Sequence, residues 1–103
     1  MISNEDIEQE IQEKKLTAPR VTPEDIVAAV KGEEYYVFPG SQLTICCLTL
    51  QNGFNVTGES ACASPENFNK ELGEKISKKK AMDKIWSLEG YLLKDKLYRR
   101  ESA

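Results

Sequence analysis

The chain has 103 residues, of which 40% are hydrophobic and 30% are charged, with a formal net charge of −3. This size and composition predict one folded domain with a small core and exclude a disordered chain. No apolar stretch approaches the roughly 20 residues that cross a bilayer, and the acidic start MISNEDIEQEIQEKK has no apolar signal segment. We therefore expect a cytoplasmic protein without membrane contact, whose three cysteines stay reduced.

The absence of histidine and an uneven charge distribution limit the chemistry open to this chain. Without histidine, one chain cannot form a Ser-His-Asp or Cys-His mechanism or the usual His-containing zinc sites. Residues 1–65 carry 4 basic and 10 acidic side chains, whereas residues 66–103 carry 10 basic and 7 acidic ones. The basic half could contact an anionic ligand, neutralise the acidic half of a second copy, or form an ordinary solvated helix face. We expect no metal ion and no cofactor.

Two short helices are predicted near the N-terminus. Ser3 can cap a helical extension over residues 1–16, whose narrow apolar stripe predicts a helix that packs peripherally or on another chain. A single α+β domain is expected to follow over residues 20–99. Its first helix begins at Thr22-Pro23-Glu24-Asp25, where a capping hydroxyl, a proline and two acids follow one another. Gly32 is the expected end of that helix.

A strand and a central β-hairpin are predicted next. Residues 34–38 form the strand candidate, which Pro39-Gly40 closes. Residues 42–60 form the predicted hairpin, in which residues 42–50 have the richest strand sequence of the chain and residues 54–60 form the returning strand. Within them, Asn52-Gly53 is a strong signal for a two-residue hairpin turn, because both turn residues need positive φ.

A two-residue turn fixes the register of the hairpin and therefore its two faces, with Thr49 opposite Val56 and Cys47 opposite Gly58. A polar row beside apolar neighbours on the outer face is the most site-like pattern in the chain. The solvent side of an antiparallel sheet has the same pattern, so both interpretations stay open. If that face were covered, Glu59 would be a part-buried carboxylate that needs a partner. The predicted core face is Leu43, Ile45, Cys47, Phe54 and Val56, and the polar row is Asn55, Thr57 and Glu59.

The sequence GESAC at residues 58–62 resembles a nucleophile turn, because Gly-x-Ser-x-small precedes a predicted helix. Ser60 has no histidine base, and Cys62 stands where the hydrolase pattern has its last glycine, so we expect no catalytic role. The small residues instead predict a crowded corner where strand and helix backbones approach closely. In the second interpretation, the free N–H groups at the start of the following helix bind an anion.

The C-terminal part is predicted to be a long helical region. Ser64-Pro65 is the expected helix start, and an apolar stripe continues to Leu97. Gly73 and the charged residues 77–80 could interrupt this region, so both one long helix and two consecutive helices stay possible. The order of elements predicts an α+β fold, with helices on one face of a small antiparallel sheet.

The run LTICCLTLQNGFNVTGESACASPENFNKELGEKI, followed by KIWSLEGYLL, closely resembles the gene-49/gene-66 phage protein family. RVTPEDIVAAV and EEYYVF also resemble the start of that domain, so the likeness covers about residues 20–97. Residues 38–42 are shorter than in relatives, which often carry a Gly-rich insertion there. The resemblance implies a viral accessory protein in the bacterial host cytoplasm and supplies no catalytic residue. Its motif positions are ligand-binding candidates, with Asn67 added at the helix start: Tyr36, Asn55, Thr57, Glu59, Ser60, Cys62, Asn67, Trp86, Glu89 and Tyr91.

The function that we expect is non-enzymatic binding by a homodimer or larger oligomer. Such a protein would counter host defence by sequestering a nucleotide-like signal or by blocking a host protein. For a nucleotide, Asn67 would lie at the phosphate and Tyr36 or Trp86 would stack on the base. The alternative is a small enzyme that uses Glu59 as acid or base. A nucleic-acid-binding protein that uses the lysines of residues 70–84 is the second alternative, although the chain is acidic overall.

Overall fold

The structure is a computed structural model that describes residues 3–14 and 18–102, with Ser102 described by its backbone alone. Its three strands form one antiparallel sheet in the order β1-β2-β3, and the longest helix packs on β2 and β3. This arrangement confirms the predicted α+β fold. The elements are α1 (Asn4–Glu13), α2 (Pro23–Ala29), β1 (Val30–Val37), β2 (Leu43–Leu50), β3 (Asn55–Ala61), a 3₁₀ turn (Pro65–Asn67) and α3 (Lys70–Ser102).

Both predicted N-terminal helix starts are confirmed by capping boxes. The Ser3 hydroxyl accepts the Asp6 N–H at 3.1 Å, and the Thr22 hydroxyl accepts the Asp25 N–H at 3.2 Å. The expected end of the second helix at Gly32 is wrong, because α2 ends at Ala29 and the chain enters β1 at once. Val30 is β-branched and pairs with Leu50 on the next strand, which favours strand over another helical turn. The predicted end of the first helix at residue 16 lies outside the described residues.

The hairpin loop has three residues, not two. The Leu50 N–H donates to the Phe54 carbonyl at 2.8 Å, which encloses Gln51, Asn52 and Gly53. Gly53 has a positive φ of 91°, as in a turn that ends in a left-handed residue. The Asn52 side-chain oxygen accepts the Phe54 N–H at 3.0 Å and holds this loop shape.

The longer loop shifts the register by one residue and reverses the two faces of β2. Leu48 lies opposite Val56, and Cys46 lies opposite Gly58. The predicted core face is therefore wrong for Leu43, Ile45, Cys47 and Phe54, and right for Val56. Phe54 is 56% exposed, and the three β2 residues are only partly covered. The side chains that form the core are Ile26, Cys46, Leu48, Leu50, Val56, Ala81 and Ile85.

Helix α3 crosses β3 at Gly58, where the two backbones touch. A Cβ on Gly58 would overlap the carbonyl oxygen of Ser77 and would lie 2.5 Å from the amide nitrogen of Ala81. Ser77 and Ala81 are themselves fully buried, and both are small. The predicted close approach of strand and helix is confirmed at Gly58, with the middle of α3 rather than its start as the partner.

Helix α3 is one continuous helix that begins later than predicted. Ser64 makes no side-chain capping bond, and the residues after it form only a 3₁₀ turn. The cap is Asn69, whose side-chain oxygen accepts the Leu72 N–H at 2.9 Å. The helix continues through Gly73. This glycine lies against Thr44 of β2, where a side chain would meet the threonine hydroxyl.

Candidate functional site

The sheet face opposite α3 is uncovered within the part of the chain that the structure describes. The strand pairings place Tyr36, Ile45 and Glu59 in one row across this face. A second row contains Glu34, Cys47 and Thr57. A third row contains Gly32, Thr49 and Asn55, and the Asn55 side-chain amide donates to the Thr49 hydroxyl at 3.0 Å. We call this surface the open face.

The centre of the open face is apolar and aromatic. Tyr36 is 55% exposed and Phe38 is 43% exposed, and their rings meet edge to face with centroids 4.8 Å apart. Leu43, Ile45 and Cys47 of the central strand are half-buried by their neighbours alone. An apolar cluster on a flat surface is typical of a contact with another macromolecule.

The charge on the open face is negative. Glu34 on β1 and Glu59 on β3 flank the apolar centre, and both are exposed. None of the paired strand positions on this face is lysine or arginine. The face therefore favours a partner surface that combines apolar and basic side chains.

Three of the predicted site residues lie elsewhere, in a small cavity beside the start of α3. Ser60, Cys62 and Asn67 line this cavity of about 110 Å³ with Phe68 and Leu72. Ser60 pairs with Thr44 and so faces away from Glu59. The Cys62 thiol donates to the Ser64 carbonyl at 3.4 Å. Thr44, which also lines the cavity, is fully buried, and its hydroxyl has no partner among the described residues.

The last three predicted site residues lie along α3. Trp86 packs against the core and borders a groove with Ile7 and Ile11 of α1. Glu89 and Tyr91 border a second groove, which the hairpin loop closes at Leu50 and Phe54. Tyr36 and Trp86 thus lie on opposite sides of the sheet, so they cannot stack on the same base.

Sequence reasoning missed a polar cluster at the edge of the sheet. The Tyr35 hydroxyl donates to Glu33 at 2.6 Å, and the Lys78 ammonium of α3 donates to the same carboxylate at 3.0 Å. The Tyr35 hydrogen bond and the Lys78 ammonium lower the pKa of Glu33, whereas burial raises the pKa of Tyr35. Glu33 and Tyr35 are two residues apart on one strand, so their side chains share a face, and this spacing could have predicted their contact from the sequence. The cluster ties β1 to α3 and keeps the tyrosine protonated.

Neither a metal site nor a membrane span is found in the described ranges. No group of three or more cysteine, aspartate or glutamate side chains there could hold a metal ion. No helix there is long and apolar enough to cross a membrane.

The fold and these surfaces define a small α+β protein with an uncovered sheet face and a long C-terminal helix. A family model described as "Phage protein (N4 Gp49/phage Sf6 gene 66) family" matches residues 21–97. The chain belongs to this phage protein family, which confirms the resemblance. No curated protein and no solved structure matches it significantly. The matched range runs from the start of α2 through most of α3, and α1 lies outside it.

Proposed function

We propose that this phage protein acts in the host cytoplasm by binding a host protein through the open face, and thereby counters host defence. The observation that carries the proposal is an exposed aromatic and apolar cluster on a sheet face that no described element covers. Four of the ten predicted site residues lie on this face: Tyr36, Asn55, Thr57 and Glu59.

A protein partner fits this surface better than a small molecule does. Small-molecule sites are concave and usually enclose about 300–1,000 Å³, whereas the open face is flat. The cavity at Ser60 and Cys62 encloses about 110 Å³, which is too small for a nucleotide. Sequestration of a nucleotide-like signal would have to use another surface, such as the groove of about 370 Å³ that Glu89 and Tyr91 border, and it is the second form of the binding hypothesis.

The partner that we expect carries apolar side chains with lysine or arginine around them. The apolar side chains would cover Tyr36, Ile45 and Cys47, and the cations would approach Glu34 and Glu59. Such charge complementarity mainly sets specificity and the association rate, whereas the aromatic centre supplies most of the affinity.

The two alternative functions find less support. Glu59 is exposed on the open face beside Ile45, whereas a general acid or base usually works in an enclosed pocket. Two of the lysines proposed for nucleic acid already form ion pairs, Lys78 with Glu33 and Lys79 with Asp83.

Affinity purification from infected host cells tests the proposal when paired variants are compared. Tyr36→Ala and Glu59→Ala should lose one and the same protein, whereas wild type, Tyr98→Ala and Glu66→Ala retain it. Tyr98 is 61% exposed on α3 and so matches Tyr36 in type and exposure. A direct titration of the recovered protein should show at least about a fivefold loss of affinity for Tyr36→Ala, because removing an aromatic anchor typically costs more than about 1 kcal/mol.

Two results would contradict the proposal. One is a partner whose affinity is the same for Tyr36→Ala, Glu59→Ala and their controls. The other is a stoichiometric nucleotide-sized mass in native mass spectrometry of the gently purified protein, which would favour sequestration instead.

A further inference from the structure

Helix α3 is much longer than the sheet it covers. Its 33 residues span about 50 Å at 1.5 Å per residue, whereas an eight-residue strand spans about 27 Å. Ser77 and Ala81 pack on the middle of β3, and Leu88 and Leu92 already lie beside the hairpin loop. Residues 93–102 therefore extend past the end of the sheet, and we call them the C-terminal arm.

An apolar seam runs onto this arm on the side turned away from the sheet. It consists of Trp86, Gly90, Leu93 and Leu97, at the alternating spacings of four and three that a coiled coil uses. At 100° per residue, the four lie within about 60° of one another, and their centre lies about 130° around the helix from the midpoint of the buried Ala81 and Ile85. Trp86 packs against the core, whereas Leu93 and Leu97 are outside the core cluster and remain partly exposed.

Gly90 leaves the seam open to a second helix. No atom lies within 4 Å of the place where its side chain would be, in contrast to Gly58 and Gly73, which pack against neighbouring elements. A glycine in the middle of a helix costs about 1 kcal/mol relative to alanine. No contact within the described residues explains a glycine at this position, whereas the close approach of a second helix would explain it.

The charges beside the seam are complementary to a second copy of the same seam. Glu89 and Lys94 flank it five residues apart, and so do Lys96 and Glu101. Pairs five apart do not meet within one helix, and in the described residues none of these four side chains forms an ion pair. Five residues is the spacing of the flanking ion pairs between two parallel helices of a coiled coil.

We propose that the C-terminal arm is a dimerisation surface that pairs in parallel with the arm of a second copy. Leu93 and Leu97 would pack on their counterparts, with Gly90 one turn earlier. Glu89 would meet Lys94 of the second copy, and Lys96 would meet its Glu101. The open face stays free in this dimer, so the proposal does not depend on the proposed function.

Sedimentation equilibrium tests the dimer across about 5–500 µM, because a seam of two heptads is short and predicts modest affinity. We expect a monomer–dimer equilibrium in which Leu97→Gln weakens association at least about tenfold. Tyr98→Gln is the matched control, since it removes the neighbouring large side chain of the arm, which is 61% exposed and lies outside the seam. Circular dichroism should show the same helix content for all three proteins.

Charge exchange tests the parallel orientation. Lys94→Glu places two glutamates together across the dimer and should weaken it, and the double variant Glu89→Lys/Lys94→Glu should restore wild-type association. A monomer at every concentration would overturn the proposal, as would equal effects of Leu97→Gln and Tyr98→Gln. Failure of the double variant to recover association would overturn the parallel orientation.

Discussion

Gly58 is the residue on which the packing of helix on sheet depends most directly. Its missing side chain lets the backbone of β3 touch the backbone of α3 at Ser77 and Ala81. Backbone atoms on both sides cannot move aside as a flexible side chain can, so even a methyl group would push the helix away. The same contact explains why Ser77 and Ala81 are small and fully buried.

We predict that Gly58→Ala lowers the free energy of unfolding by about 2 kcal/mol or more, the upper range for overpacking a core. Gly32→Ala is the control, because a Cβ on this other strand glycine would lie 3.8 Å from Thr49, an ordinary contact. Urea unfolding of the two variants should differ clearly. Equal stabilities would mean that the helix relaxes away from β3 at little cost.

At the scale of elements, the sequence was sufficient to predict each helix and strand but not how the strands pair. LTICCLTL is apolar on both sides of β2, so either register buries apolar residues and the pattern does not discriminate between them. Asn52-Gly53 suits a two-residue turn and also the last two positions of a three-residue loop. One residue of difference moved Ile45 and Cys47 from the predicted core to the open face. Asn55, Thr57 and Glu59 kept their predicted outward face because β3 alternates regularly between polar and small or apolar residues.

The start of α3 can be tested at the same scale. Asn69→Ala should lower the free energy of unfolding by about 1 kcal/mol, because it removes the side chain that caps the first turn. Ser64→Ala should change it by less than about 0.5 kcal/mol, since the Ser64 side chain makes no capping bond. Thermal unfolding at equal protein concentration compares the two. A larger effect at Ser64 would place the functional helix start at the 3₁₀ turn, as the sequence pattern had predicted.

At the scale of the whole molecule, helix α1 is the α-helix that buries the least of its surface. Helix α1 buries none of its residues and lies outside the matched family range. Helix α1 borders a groove with Trp86, and it is linked to the following segment by an ion pair in which Arg20 donates twice to Glu8 at 2.6 Å. An ion pair of this kind adds little stability where solvent reaches it. Neither the open face nor Leu93 and Leu97 of the C-terminal arm lines the groove that α1 borders, so we expect both proposed surfaces to form without α1.

We therefore predict that a variant lacking residues 1–17 folds and keeps both proposed surfaces. The cost in the free energy of unfolding should be about 1–2 kcal/mol, because Ile7 and Ile11 cover part of the Trp86 groove. Trp86 is the only tryptophan, so its fluorescence should shift to longer wavelength when α1 is removed and water reaches the ring. Full-length Ile11→Ser is the control, with a smaller shift in the same direction. An unfolded variant would show instead that α1 completes the core, and an unshifted Trp86 would show that α1 does not pack there in solution.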